Sequence, residues 1–256
     1  IYRQILGIFS EKVAAVTGVY LNDEAGCKVM AFLSAGGGTG SSAVAAACAM
    51  NFAQKGKNVL YLNLERFGSA DVFFNADGSS NLGDVIYAIK SKKGNLPMKL
   101  ESSVKHDPSG VFFFSSTRMV LDIAELNPGE IQQIIGVLRM AGAYDYVILD
   151  LDFSMDKKFL TVLEECNNIV FVADGSEVSN VKLERVIESL GVLEQQSDMK
   201  LLMRCGVLYN RFSSQTSRKA NVAGLKEYGG INRYEGCGIQ KLLQQLKCQP
   251  VFDALE

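Results

Sequence analysis

The sequence is short of the side chains that hold transition metals and short of any charge imbalance. Its only histidine is His106, and its six cysteines, Cys27, Cys48, Cys166, Cys205, Cys237 and Cys248, lie far apart with no CxxC pair. Zinc-ligand spacing is therefore absent. Several of the cysteines sit in apolar runs as small hydrophobes, and together they point to a reducing, cytosolic compartment. A net charge of −2 offers no broad cationic surface that would neutralise many phosphates, so nucleic acid is not an expected partner. No apolar run reaches the roughly 18 residues that span a bilayer, and no charged-then-apolar signal opens the chain. Membrane contact is expected to be peripheral at most. The chain begins at Ile1 rather than methionine, which leads us to expect an upstream portion.

What is present is enough for one large core. The chain has 256 residues, 48% of them hydrophobic, and no Pro/Gly/Ser-rich seam divides it. Ile5, Phe9, Val13 and Val16 fall at helical spacing, so residues 1–27 read as a helical linker ahead of a domain over residues 28–256. From Lys28 onward strand-like and helix-like segments alternate. That order predicts an α/β fold with a mostly parallel sheet and helices on both faces. Strands are expected over residues 29–34, 58–63, 111–115, 146–150, 168–173 and 203–209. Helices are expected over residues 42–54, 81–90, 128–140, 177–194 and 239–246. The polar stretch that runs on to Pro108 is expected to be the most flexible part.

The chemistry is concentrated after the first strand, in Ser34-Ala35-Gly36-Gly37-Gly38-Thr39-Gly40-Ser41-Ser42. A glycine-rich turn from strand to helix can point consecutive N–H groups at phosphate oxygens, aided by the helix dipole. Against the P-loop pattern GxxxxGK[ST], Gly40 fills the last glycine, Ser42 the magnesium-binding hydroxyl, and Ser41 the place of the lysine. Gly36, Gly37, Gly38, Thr39, Gly40, Ser41 and Ser42 are thus the candidate phosphate cradle. A plain connecting turn is the competing reading of the loop alone. Downstream parts tip the balance: Asp150 ends the apolar run Tyr146-Val147-Ile148-Leu149, where an acid would hold Mg2+ together with Ser42. Asn63 and Glu65, at the end of the second strand, could position an attacking water or simply lead into a polar loop. Asn210 could pair with an adenine edge or serve as an ordinary turn residue.

These segments, with Val59 to Gly68 and Leu208-Tyr209-Asn210-Arg211, resemble the MinD/ParA ATPases, whose deviant Walker A motif is KGGxGK[ST]. Within that superfamily, Asn63-Leu64-Glu65 followed by Phe67-Gly68, and Ser109-Gly110-Val111 leading into a strand, are most similar to the TadZ/CpaE group. The resemblance runs from Lys28 to Glu256. It implies a P-loop NTPase fold, ATP (or ADP) and Mg2+ as ligands, Arg211 beside Asn210 at the nucleotide, and a homodimer. It further implies a role in localising Flp/Tad pilus-assembly proteins, a receiver-like domain upstream, and a place in the cytoplasm at the pole or the inner membrane face.

The departures from that pattern are specific. The signature lysine falls at Gly36, the P-loop lysine at Ser41, the first switch acid at Asn63, and the glycine of the DxxxG element at Ser154. A lysine that meets developing phosphoryl charge contributes several kcal/mol, about two to three decades of rate. Ground-state binding draws on many donors and survives such a loss better. The expectation is therefore a nucleotide-binding localisation factor with weak or no hydrolysis. Two rivals are a working positioning or partition ATPase, with charge supplied by Lys28 or Arg211, and a nucleotide-free scaffold.

Other features have plain readings. Phe112-Phe113-Phe114 is expected to be core, His106 a solvated loop residue, and Lys90-Ser91-Lys92-Lys93 a solvated helix end. Ile239, Leu242, Leu243 and Leu246 form one helical face expected to pack on the sheet rather than on lipid.

Overall fold

The computed structural model describes residues 26–92 and 95–256, the side chains of residues 157 and 158 apart. The expected linker over residues 1–27 thus lies outside the described residues, except for its last two. The elements are β1 (Lys28–Leu33), α1 (Ser41–Gln54), β2 (Val59–Asn63), α2 (Ala70–Phe73), α3 (Leu82–Ser91), α4 (Leu96–Ser103), β3 (Lys105–His106) and β4 (Val111–Phe113). There follow α5 (Val120–Glu125), α6 (Pro128–Ala141), β5 (Tyr146–Asp150), α7 (Lys157–Leu163), β6 (Asn168–Ala173), α8 (Glu177–Gln196), β7 (Cys205–Tyr209), β8 (Lys226–Gly230) and α9 (Ile239–Leu246). Short 3-10 turns occupy Leu202–Arg204 and Pro250–Ala254.

The strands form one eight-stranded sheet in the order β3-β4-β2-β5-β1-β6-β7-β8, parallel except for the β3/β4 edge pair. β1, β2, β5 and β6 are apolar runs because both faces of the sheet are covered. Val29, Ala31, Leu60, Leu62, Val147 and Ile169 face the core layer shared with α3, α4, α6, α7 and α8. Met30, Phe32, Tyr61, Ile148 and Val170 face a second layer shared with α1, α2, α9 and the Pro250–Ala254 turn. The α/β expectation holds.

Three local rules set the helices. The small side chains Ala45, Ala46, Ala47 and Ala49, all fully buried, let α1 lie close to the sheet while α9 packs against it. Gly56, at φ +83°, ends α1. Asn127 starts α6 with a reciprocal cap: its Oδ1 accepts from the Glu130 N–H at 3.0 Å and Glu130 Oε2 accepts from the Asn127 N–H at 2.9 Å.

Several local expectations meet corrections in the structure. Much of the stretch leading to Pro108 is regular: Asn95 caps α4, Leu96 and Leu100 are buried, and β3 pairs with β4. Asp107 closes this region by accepting from the N–H groups of Asn75 and Ser109. His106 is exposed, but it sits in β3 with its ring 4.7 Å from that of Phe112, rather than in a loop. Phe113 and Phe114 are core residues, whereas Phe112 is half-buried against Tyr144. Lys90 ends α3 in an ion pair with Glu130 at 2.9 Å, Lys92 caps that helix at φ 51°, and Lys93 lies outside the described residues. Leu243 and Leu246 are buried in the α1 layer, with Ile239 and Leu242 packed beside them. Strand β8 was not expected. Its sequence, KEYGG, has no apolar run, and it forms an edge through main-chain pairing with β7.

Candidate functional site

β1 sits at the centre of the sheet, and the chain leaves its carboxyl end into the glycine-rich loop before entering α1. In open parallel sheets that end is where ligands sit. Gly37, Gly38 and Gly40 take φ values of 72°, 71° and 83°, so the turn needs residues that tolerate the left-handed region. Ser34 Oγ draws the loop into a ring: it accepts from the Gly37 N–H at 3.1 Å and from the Thr39 hydroxyl at 3.0 Å. Helix α1 begins with no side-chain cap and no acid in its first turn. Its N-terminus is thus left for an external anion.

The loop's carbonyls are held from outside. Asn210 Nδ2 donates to the Thr39 carbonyl at 2.8 Å, Arg211 donates to that of Gly38 at 3.1 Å, and Lys182 of α8 reaches that of Gly36 at 3.5 Å. Asn210 follows β7 and is buried, and its amide serves the loop. A Cβ on Gly40 would meet that amide nitrogen at 2.7 Å, which explains the glycine a second time. Arg211 is one of two described residues other than glycine with positive φ, at 58°. Lys28, the other cation considered from sequence, is excluded from this role. It lies at the amino end of β1, bonded to the Glu256 carbonyl at 3.0 Å and 5.7 Å from the Tyr146 ring centre. Lys182 was missed because nothing in its local sequence links α8 to the loop; only the position of β6 next to β1 does.

Acids make up the opposite wall. The sheet register sets Asn63 of β2 and Phe32 of β1 level with Asp150 of β5. Ser42 Oγ donates to Glu65 Oε1 at 2.9 Å, and Asn63 Nδ2 bridges Glu65 Oε2 at 2.9 Å and Asp150 Oδ2 at 2.8 Å. The Tyr61 hydroxyl also donates to Asp150 Oδ2, at 2.6 Å. Asp150 is fully buried, and burial, followed by the Glu65 charge, pushes its carboxyl well above the usual range. Burial and the neighbouring Asp150 push the Tyr61 phenol up as well. Asp152 anchors the following turn through the Arg66 N–H at 2.9 Å.

Magnesium fits these residues. Asp150 Oδ1 is buried without a hydrogen-bond partner, in a group that also contains the Ser42 hydroxyl and the Glu65 carboxylate. A hard cation supplies what that oxygen lacks, and Mg2+ uses one or two carboxylates with waters and phosphate rather than a full protein cage. Accordingly, no cluster of three or more acidic, histidine or cysteine ligands occurs among the described residues. Gly37, Gly38, Gly40, Ser41, Ser42, Glu65, Asp152, Phe153 and Arg211 line an open cleft of about 360 Å3. A smaller cavity of about 200 Å3 adjoins it through Glu65 and is bordered by Asn63, Phe67 and Val120.

No protein-family model matches the chain, and no curated protein sequence is similar to it. Solved structures are similar in fold. A ParA family ATPase from Chlorobium tepidum TLS is 24% identical with a TM-score of 0.70, covering 91% of this chain and 99% of that one. MinD in the MinC:MinD cell division complex of Aquifex aeolicus is 17% identical at 0.68, covering 89% and 94%. The septum site-determining protein MinD from Pyrococcus horikoshii OT3, complexed with Mg-ADP, is 16% identical at 0.68, with the same coverages. The chain has the α/β P-loop fold of the ParA and MinD ATPases.

Proposed function

We propose that this protein binds ATP with Mg2+ in the cleft between the glycine loop and the Asp150 wall, and that it hydrolyses the nucleotide slowly or not at all. The observation that carries this reading is a loop that retains its left-handed glycines and an uncapped helix N-terminus yet has no lysine. Backbone donors hold a ground-state polyphosphate. Without a side-chain cation in the loop, stabilisation of a transferring phosphoryl group is weakened. The presence of Mg-ADP in a MinD of the same fold supports the choice of ligand.

On this reading the nucleotide-bound form is a homodimer that marks a position in the cell and recruits other proteins. The TadZ/CpaE resemblance of residues 63–68 and 109–111 suggests Flp/Tad pilus-assembly proteins as the partners, at the pole or the inner face of the membrane. It also suggests a receiver-like domain upstream. Equilibrium binding of labelled ATP with Mg2+ is the direct test, and the expected affinity is well below millimolar. A dissociation constant in the millimolar range or weaker sinks the reading. Arg211 at the loop favours one rival, a working ATPase with charge supplied from outside the loop. Steady phosphate release that vanishes in Asp150→Ala would establish that rival.

A further inference from the structure

The loop carries no cation of its own between Ser34 and Ser42, whereas a magnesium-bound polyphosphate still brings net negative charge. Two cations touch the loop from outside, Lys182 and Arg211, and neither forms an ion pair among the described residues. Lys182 differs from Arg211 in three ways. It comes from a helix rather than from the strand end beside Asn210. Its ammonium rests on a single peptide carbonyl at 3.5 Å, the outer limit of a hydrogen bond, so little holds it there. Its stem lies directly over Gly36: a Cβ built on that glycine would meet Lys182 Cδ at 3.0 Å and Nζ at 3.5 Å. The space a side chain at residue 36 would fill is thus occupied by a lysine from α8.

We infer that Lys182 supplies, from α8, the cation that contacts the polyphosphate at the outer end of the loop, taking the room left by Gly36. This rests on the nucleotide reading above and adds a residue which the loop motif does not contain. The ammonium exchanges a weak contact with a neutral carbonyl for a charge-assisted bond to a phosphate oxygen. α8 is well placed for this. It starts directly after β6, and the Ser176 hydroxyl caps it by accepting from the Ser179 N–H, which fixes the first turns beside the loop. Lys182 is exposed, so its replacement leaves the folded core unchanged.

The test uses Mg-ATP and AMP as probes of the wild type, Lys182→Gln, Lys182→Arg, Gly36→Lys, Lys182→Ala and the Gly36→Lys/Lys182→Ala pair. Lys182→Gln is expected to weaken Mg-ATP binding about 10- to 150-fold, the scale of one hydrogen bond to a charged group, with a smaller change for AMP. Lys182→Arg restores most of the affinity, and thermal unfolding without nucleotide is unchanged. Gly36→Lys gains little while Lys182 fills the space, but recovers affinity in the Lys182→Ala background, so the two changes are not additive. Unchanged Mg-ATP affinity in Lys182→Gln overturns the inference and leaves nucleotide binding intact. So does an equal loss for AMP and ATP, or an equal gain from Gly36→Lys in both backgrounds. A wild type that binds neither probe overturns both readings.

Discussion

At the scale of single residues, Asp150 governs how stability without nucleotide responds to pH. Its carboxyl is raised in the folded state, so the native protein holds a proton that the unfolded chain releases near pH 3.9. The native state binds more protons, so stability falls as pH rises from the unfolded value through the raised folded one. One such group gives a slope of at most about 1.4 kcal/mol per pH unit. In nucleotide-free Asp150→Asn that component should vanish, and urea unfolding of both proteins across the range measures it. Parallel stability curves for the two would refute the assignment. The roles of Ser42, Asp150 and the loop glycines were legible because motif and strand pattern place them. Those of Tyr61 and Lys182 were not, since sheet register and strand order bring them to the site.

At the scale of elements, α1 offers a controlled comparison, because Gly40 and Gly56 flank it with the same φ of 83°. A Cβ at Gly56 meets nothing within 4 Å, whereas one at Gly40 meets Asn210 Nδ2 at 2.7 Å. Gly56→Ala should therefore cost only the left-handed strain, about 1–2 kcal/mol. Gly40→Ala should cost at least as much and also push the loop off its Asn210 tether, lowering nucleotide affinity. Denaturant unfolding of each variant and ATP titration separate the two effects, and equal affinity in both would contradict the tether. Legibility followed element type. Tyr146–Asp150, Asn168–Ala173 and Ile239–Leu246 matched the sequence reading to the residue, being uninterrupted apolar runs or one clear amphipathic face. α4 went unseen, because only Leu96 and Leu100 give it an apolar side. β8 went unseen because an edge strand carries its stabilising bonds in the main chain, where side-chain pattern says nothing.

At the scale of the whole molecule, burial silences half of the cysteines. Cys48, Cys166 and Cys205 are buried; burial pushes the thiols of Cys166 and Cys205 to about 12 and that of Cys48 well above its usual value. Cys27, half-buried, is pushed to about 11. A thiol reagent at neutral pH should modify Cys248 first and Cys237 next, and reach the three buried thiols only as the domain unfolds as a unit. Staggered labelling of those three would show that the two core layers open separately. The two walls of the cleft carry a further consequence. Lys182 and Arg211 stand on the β6–β7 side of the loop, while Glu65 and Asp152 stand on the β2–β5 side. The cleft is therefore electrically polarised across β1. A metal–polyphosphate is itself a dipole, so this field favours one orientation of the bound molecule and disfavours its reverse before any contact with the base is made.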